Sequence, residues 1–207
     1  GQVYLAKHKQ NGGMFACKVV NKDGNMNDAQ SMSTEIEIMK RVRHKHVCSM
    51  YELYESPKCL WIILELVDGG DLHKLLATLD HYTEETAAKH MEQILKGIHY
   101  LHAQGVVHRD IKLENILLKG KYPSCDVKIA DFGLSALVRV GEFGYHEEES
   151  VKRKEFKSLT EMWGTKEMFA PELIDQAYGP QADIWSVGCI LYEMLIGPSK
   201  YISKLLI

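Results

Sequence analysis

The sequence predicts an α+β fold in two lobes, with strands concentrated near the start of the chain and helices after them. Paired strand patterns joined by turn signals occupy the first part. Helical apolar periodicity dominates the second part and is most regular over Ala87–Leu101. Val67–Gly70 lies between the two parts and is the natural hinge. The two lobes are therefore predicted to comprise residues 1–67 and 68–207.

Four strands and one helix are predicted in the N-terminal part. Gln10-Asn11-Gly12-Gly13 is a hairpin signal between the first two strand patterns, and Ser56-Pro57-Lys58 is a turn between the last two. Residues 30–42 carry apolar side chains on one side of a helix. The predicted strands are 2–7, 14–20, Val47–Glu55 and Leu60–Val67.

The C-terminal part is predicted to be mainly helical, with one small hairpin. Its longest helix carries a continuous apolar stripe, which indicates a face buried against a core. The predicted helices are Asp71–Leu79, Glu84–Gln104 and Ala182–Leu195, and the predicted hairpin joins Ile116–Leu118 to Val127–Ile129.

Composition argues against several kinds of function. The 207 residues are 45% hydrophobic and 26% charged, as in ordinary globular proteins, and the net charge of −3 provides no basic stripe for a nucleic acid. Five scattered cysteines without a C-x-x-C pair argue against a disulfide framework or a zinc site. No apolar run reaches membrane-spanning length, and no signal peptide opens the chain. An intracellular protein, cytoplasmic or nuclear, without nucleic-acid or membrane partners is therefore expected.

The segment His108-Arg109-Asp110-Ile111-Lys112-Leu113-Glu114-Asn115 resembles the catalytic loop of protein kinases. Phosphoryl transfer depends on positioning more than on covalent chemistry, and this segment carries the groups that such positioning needs. Asp110 would orient the attacking hydroxyl and accept its proton, while Lys112 would lie at the transferred phosphate. Asn115 would supply an oxygen ligand for Mg²⁺, which favours hard oxygen donors.

A second Mg²⁺ ligand is predicted in Asp131-Phe132-Gly133. This tripeptide follows the predicted strand Val127–Ile129, which is the context in which kinases place the aspartate that binds magnesium. Alone, the tripeptide would indicate only a turn. Its distance after Asn115 makes Asp131 the expected ligand.

Lys18 is the predicted phosphate-binding lysine. It ends Phe15-Ala16-Cys17-Lys18, which occupies the place of the Val-Ala-Ile-Lys strand of kinases. In that family the lysine pairs with a carboxylate on the next helix. Glu35 is the preferred candidate for this partner, and Glu37 is the alternative.

The segment Gly164–Glu172 resembles the end of a kinase activation segment, because it closes with Ala-Pro-Glu. It departs from the family at Lys166, where proline is usual. Thr165, together with Lys112, is the pattern of Ser/Thr kinases rather than Tyr kinases. Thr165 is therefore predicted to belong to the catalytic site.

The resemblance covers nearly the whole chain, in the family's order of motifs. The chain is similar to eukaryotic Ser/Thr protein kinases, and segments such as Leu66-Val67-Asp68-Gly69-Gly70 resemble the calcium/calmodulin-dependent group most. The implied fold is bilobal and protein-kinase-like, with an incomplete β-rich N-lobe and an incomplete helical C-lobe. The implied cofactors are ATP and Mg²⁺, and the implied partner is a protein substrate with a Ser or Thr acceptor.

The resemblance also implies a nucleotide pocket. Leu64 would line its back, while Glu65 and Val67 would offer backbone groups to adenine. Leu117 would form the floor under adenine, and Asp71 would bind the ribose or an arginine of the substrate. The other residues expected at the nucleotide are Gly1, Val3, Ala16, Lys18 and Glu35.

Two further sets of interior residues follow from the resemblance. Asp183, at a predicted helix start, is expected to accept hydrogen bonds from the backbone around His108 and Arg109. A hydrophobic spine, which would equally be ordinary core, is expected at Met39, Met50, His108 and Phe132.

The long segment 131–172 is predicted to be regulatory. It contains the charged run His146–Lys157, which is typical of a solvated loop. A phosphate on this loop would pair with Arg109 and order it, so an upstream activating kinase is an expected partner. The candidate phosphosites are Ser150, Ser158 and Thr160.

An inactive kinase fragment or pseudokinase that acts as a binding module is the alternative function. The chain starts without Met and has only the last part of the glycine-rich loop, and the family continues beyond Leu195, so truncation at both ends is expected. Glu172 would then lose a buried arginine partner, at about 3–5 kcal/mol, and helix Ala182–Leu195 would keep uncovered apolar sides. A metabolic P-loop enzyme is disfavoured because the sequence has no G-x-x-x-x-G-K-[ST] segment.

Overall fold

The computed structural model describes residues 2–22, 26–79, 82–138, 159–175 and 178–197. Over these residues the chain has the predicted α+β architecture, with a four-stranded sheet and one helix followed by a mainly helical part. We call these the N-lobe and the C-lobe. Several residues that belong to the sequence predictions lie outside the described residues, namely Gly1, Ser150, Ser158 and the run His146–Lys157.

The N-lobe consists of β1 (Gln2–Lys7), β2 (Met14–Asn21), α1 (Met26–Arg41), β3 (Met50–Glu55) and β4 (Cys59–Glu65). Its sheet is antiparallel, in the order β1-β2-β4-β3. The predicted hairpin between β1 and β2 is closed by the His8 N–H, which donates to the Gly13 carbonyl at 2.7 Å. Gly12 in this turn has a φ of 74°, a conformation that glycine adopts without steric cost.

Three boundaries in the N-lobe differ from the sequence prediction by two residues or more, and the end of β2, the end of α1 and the start of β4 each differ by one. α1 begins earlier, at Met26, because the polar residues of its first turn gave no periodic signal. β3 begins later, at Met50, because the chain before it bonds to the C-lobe instead. There the Cys48 N–H donates to the Ile129 carbonyl at 2.8 Å. β4 ends at Glu65, before the predicted end of the strand.

The C-lobe contains α2 (Leu72–Thr78), α3 (Glu84–Ala103), α4 (Pro171–Ile174) and α5 (Gln181–Ile196), with the short strands β5 (Val106–Val107), β6 (Ile116–Lys119), β7 (Asp126–Ile129) and β8 (Ala136–Leu137). β6 pairs with β7 as predicted, and β5 pairs with β8. Side-chain caps explain where two helices begin: Asp71 accepts from the Lys74 N–H at 2.8 Å, and Thr83 accepts from the Thr86 N–H at 3.2 Å.

One hydrophobic cluster connects the lobes. It includes buried residues of α1, β4, α3, β7 and α5, among them Ile38, Ile62, Ile94, Ile98, Ile129 and Val187. α3 and β7 approach closely because α3 has glycine at position 97. A Cβ on Gly97 would lie 2.7 Å from Cδ1 of Ile129. The four predicted spine residues, Met39, Met50, His108 and Phe132, are all buried.

α5 has both a buried side and an apolar exposed side. The sequence analysis predicted uncovered apolar sides on this helix, and they are present. Four apolar side chains are 40–69% exposed, namely Ile184, Trp185, Leu195 and Ile196. Among the described residues, no helix combines the length and apolar content that crossing a membrane requires.

Candidate functional site

The catalytic loop between β5 and β6 is anchored by Asp183 on α5. The Asp183 side chain is 1% exposed, and its two oxygens accept from the backbone N–H groups of His108 and Arg109, each at 2.8 Å. His102 of α3 adds a third contact at 2.8 Å. These bonds confirm the predicted contact and hold Arg109 at a φ of 68°, which is uncommon for a residue other than glycine.

Asp110 is the centre of a network of four polar side chains. Thr165 donates to Asp110 Oδ1 at 2.8 Å, and Lys112 Nζ lies 2.8 Å from Oδ2. Lys112 also donates to the Thr165 hydroxyl at 3.0 Å. Asn115 donates its amide hydrogens to the Asp110 backbone carbonyl at 2.8 Å and to Oδ2 at 2.9 Å. The structure therefore brings all four predicted residues together around one carboxylate.

Gly164 explains how Thr165 comes so close to this loop. A Cβ at position 164 would lie 2.4 Å from the Arg109 carbonyl oxygen, and the φ of Gly164 is 120°. Any larger residue would push the segment away from the catalytic loop. The glycine before Thr165 is thus required for the Thr165–Asp110 hydrogen bond.

Lys18 joins the N-lobe to the residues of the Asp-Phe-Gly segment. Its Nζ lies 2.5 Å from Glu35 of α1 and 3.3 Å from Asp131. Burial alone would lower the pKa of Lys18, but the two carboxylates outweigh it and raise that pKa, so the lysine is charged at neutral pH. Of the two candidate partners, Glu35 makes the contact. Glu37 is exposed and pairs with Arg41 on the outside of the helix.

Asp131 and Asn115 fit the chemistry of a magnesium ion. Burial alone would raise the pKa of Asp131, but Lys18 lowers it, and the carboxylate is ionised at neutral pH. The contacts that Asn115 donates to Asp110 use its amide hydrogens and leave the amide oxygen as a ligand. In the described part of the chain, no three His, Cys, Asp or Glu residues converge as a metal site. Two protein oxygens completed by phosphate and water are the usual way in which proteins bind Mg²⁺.

Strand register places four predicted nucleotide residues on one face of the N-lobe sheet. Val3 is opposite Lys18, and Ala16 is opposite Leu64. Residues directly opposite in an antiparallel pair share a face, and Ala16 is two residues from Lys18 on the same strand, so all four side chains face the same way. Val3 is 63% exposed on this face.

The connection from β4 to α2 brings the other predicted nucleotide residues to β6. Asp71 forms an isolated bridge with Leu117, and the Gly69 N–H donates to the Leu118 carbonyl at 2.8 Å. Val67 lies half-buried within this connection. The Asp71 carboxylate caps α2 and pairs with Lys74 at 2.7 Å, a structural role that the sequence reasoning did not assign.

Sequence reasoning missed the partners of the Glu65 carboxylate. Lys119 lies 2.6 Å from one oxygen and Lys128 lies 2.5 Å from the other. Burial alone would raise the pKa of Glu65, but the two lysines lower it. No signal in the sequence indicated Lys128, because a lysine between the apolar Val127 and Ile129 of a short strand has the alternation that is typical of an exposed side chain.

Sequence reasoning also missed the partner of Arg109. Its guanidinium donates to Glu161 at 3.1 Å and to the Leu134 carbonyl at 2.5 Å. Tyr178 donates its hydroxyl to the Glu161 carbonyl at 2.6 Å and thereby holds the same segment. Thr160, the one candidate phosphosite within the described residues, is exposed beside it.

Comparison with known proteins gives the same family along almost the whole chain. The model of the protein kinase domain matches residues 1–204. Calcium/calmodulin-dependent protein kinase type IV of Homo sapiens is 38% identical over 94% of this chain and 38% of its own length. Calcium-dependent protein kinase 7 of Arabidopsis thaliana is 35% identical over 95% of this chain and 35% of its own length.

A shorter relative, myosin light chain kinase A of Dictyostelium discoideum, is 34% identical over 94% of this chain and 62% of its own length. The chain therefore spans between about a third and three fifths of the length of these three curated relatives. The family match agrees with the two-lobed α+β fold and with the clusters around Asp110 and Lys18. The chain belongs to the protein kinase family.

Proposed function

We propose that this chain is a Ser/Thr protein kinase, which transfers the γ-phosphate of ATP to a Ser or Thr hydroxyl of a protein, with residues 1–67 and 68–207 as its two lobes. The observation that carries the proposal is the position of Lys18. Its ammonium contacts both Glu35 of α1 and Asp131. The proposed phosphate-binding lysine, its partner carboxylate and the proposed metal-binding aspartate therefore lie together.

Each residue around Asp110 has a role in the proposed transfer. Asp110 orients the acceptor hydroxyl and takes its proton. Lys112, whose charge Asp110 balances at 2.8 Å, stabilises negative charge on the transferred phosphoryl group. Thr165 holds both residues through its hydroxyl. Mg²⁺, held by Asp131 and Asn115, would neutralise charge on the phosphate oxygens.

The proposed nucleotide site uses the shared face of the N-lobe sheet and the connection after β4. Val3, Ala16 and Leu64 supply apolar contacts to adenine from that face. Glu65 and Val67 would offer backbone groups to adenine, Leu117 would lie beneath it, and Asp71 would bind the ribose or an arginine of the substrate. A cytoplasmic or nuclear location is part of the proposal, and it is supported by the five free cysteines.

A peptide phosphorylation assay tests the proposal. The purified chain is incubated with Mg²⁺, γ-labelled ATP and peptide pools that differ only in a Ser, Thr or Tyr acceptor. We expect label in the Ser and Thr pools and not in the Tyr pool, and loss of label when Mg²⁺ is chelated or when Lys18 is replaced by Met. A folded chain that labels no pool would reject the proposal.

The apolar side of α5 favours a binding module as the second candidate function. Ile184, Trp185 and Ile196 are each at least 40% exposed on a helix whose other side is buried. Exposed apolar surface of this kind marks a site of protein contact. A chain that melts cooperatively, labels no peptide and is monodisperse only with a bound protein would support this function.

Phosphorylation of the activation segment is proposed to control activity through Arg109. A phosphate on Ser150, Ser158 or Thr160 would compete with Glu161 for the guanidinium, because a phosphate offers more charge and more acceptor oxygens. An upstream kinase would then be a partner. Control of this kind is absent if Ala at all three positions leaves the activity of an activated preparation unchanged.

Replacing Glu161 by Gln is expected to reduce the activity of the unphosphorylated chain. The Arg109–Glu161 pair holds the segment that carries Thr165, but Glu161 is 64% exposed. An exposed pair contributes about 1 kcal/mol at most, so kcat/KM should fall about fivefold or less. Peptide kinetics at low and high salt measure this, because high salt should shrink the difference. Glu92→Gln, the same change at an exposed glutamate of α3, is the control and should leave the rate unchanged.

A further inference from the structure

Glu65, the last residue of β4, has its carboxylate enclosed by lysines of the C-lobe. Lys128 of β7 lies 2.5 Å from one oxygen, and the side chains of Glu65 and Lys128 are each 8% exposed. Lys119, at the end of β6, lies 2.6 Å from the other oxygen but is 53% exposed. The pair formed with Lys128 is thus the buried one. A buried charge needs a fixed partner, so the positions of these two side chains determine each other.

Three backbone segments meet at the ion pair between Glu65 and Lys128. The Glu65 N–H donates to the Ser49 carbonyl at 2.8 Å, and Lys128 Nζ also donates to the Val47 carbonyl at 3.5 Å. Ile129, next to Lys128, accepts from the Cys48 N–H at 2.8 Å. The end of β4, the segment before β3 and the strand β7 are therefore held together around one buried lysine.

This lysine links two parts of the proposed nucleotide site. The backbone of Glu65 and Val67 lies at the adenine end of that site, and β7 leads within a few residues to Asp131 at its phosphate end. No other function assigned above uses the Lys128 side chain. Its ion pair with Glu65 connects the two ends without touching either the nucleotide phosphates or the acceptor hydroxyl.

We propose that Lys128 is a positioning residue for the nucleotide, which fixes the backbone at 65–67, where β4 leads into the hinge, through the Glu65 carboxylate. This rests on the proposed function. Loss of the pair frees the hinge to sample other conformations, and the fraction that can bind adenine falls. Nucleotide affinity should therefore drop, while the phosphate transfer step, which depends on Asp110 and Lys112, should change little.

Lys128→Met tests this, with Lys128→Arg as the rescue and Lys119→Met as the matched control on the same carboxylate. We expect the Kd for Mg²⁺-ATP to rise about tenfold in Lys128→Met, with kcat within about twofold of the parent chain. Amide hydrogen exchange at 64–70 should become faster in the same variant. Lys128→Arg should restore both readouts, and Lys119→Met should change neither, since Lys119 is exposed.

The proposal is overturned if Lys128→Met lowers the melting temperature but leaves both the Kd and the exchange at 64–70 unchanged, because the pair would then be only structural. If Lys128→Met does not fold, Glu65→Gln with Lys128→Met removes both buried charges and is expected to show the same faster exchange. The hydrogen-exchange readout needs no nucleotide. A parent chain that binds no ATP would reject the proposed function, while the exchange comparison would still decide whether Lys128 fixes the backbone at 65–67.

Discussion

Replacing Asp110 by Asn will lower kcat for peptide phosphorylation by about 10²–10⁴-fold, the contribution that a positioned general base makes. Asn has nearly the same shape but cannot accept the proton of the acceptor hydroxyl. It also removes the negative charge that balances Lys112 at 2.8 Å. The Kd for Mg²⁺-ATP should change much less than kcat, because Lys18 and Asp131 belong to a different cluster and, of the two proposed Mg²⁺ ligands, only Asn115 contacts the Asp110 carboxylate.

Steady-state kinetics with a Ser peptide, together with nucleotide titration, measure these two effects separately. Glu92→Gln is the control, since Glu92 is 63% exposed on α3 and pairs with Lys96 on the surface of that helix. It should leave kcat unchanged. An Asp110→Asn variant with nearly full kcat would show that Asp110 is not the base, and that the network around it serves only to hold the loop.

Replacing Asp183 by Ala should destabilise the chain strongly. The carboxylate is 1% exposed and accepts from two backbone N–H groups of the catalytic loop, which would both be left buried without an acceptor. The expected loss is about 3–5 kcal/mol of unfolding free energy. Because whole domains are stable by about 5–15 kcal/mol, the variant should be partly unfolded at modest urea concentrations.

Urea denaturation followed by tryptophan fluorescence measures this loss. Asp175→Ala, at an exposed position after α4, is the control and should change the unfolding free energy by less than about 0.5 kcal/mol. If Asp183→Ala unfolds at the same urea midpoint as the parent chain, the catalytic loop does not depend on α5 in the way that these hydrogen bonds indicate.

Local sequence signals were sufficient for most of the secondary structure. The β1–β2 hairpin follows from the Gln10–Gly13 turn, and α3 follows from its apolar periodicity, because both depend on residues close in the chain. The start of β3 was missed because it depends on a distant partner. The chain before Met50 bonds to Ile129, and nothing near Met50 in the sequence records that contact.

The sequence likewise predicted some residues of the candidate site and left others undecided. Ordered motifs identified Lys18, Asp110 and Asp131, since each lies within a recognisable segment. They did not decide whether Glu35 or Glu37 pairs with Lys18. Two carboxylates two positions apart lie on opposite sides of a helix, and only the packing of α1 decides which one faces inward.

Contacts between distant segments could not be predicted. Arg109 and Glu161 are 52 residues apart, and Glu65 and Lys128 are 63 residues apart. Each of these four residues alone looks like a solvated surface charge. Only the fold brings the two members of each pair to the same place.

Nucleotide-dependent thermal stabilisation tests the central claim most directly, namely that the cluster of Lys18, Glu35 and Asp131 is a working nucleotide site. The chain is melted with and without Mg²⁺-ATP, beside Asp131→Ala. At about 100 times its Kd the nucleotide should add about 2.7 kcal/mol to the unfolding free energy, and Asp131→Ala should abolish most of this gain. A cooperative melt of the parent chain that Mg²⁺-ATP does not shift would contradict the claim and favour the binding module.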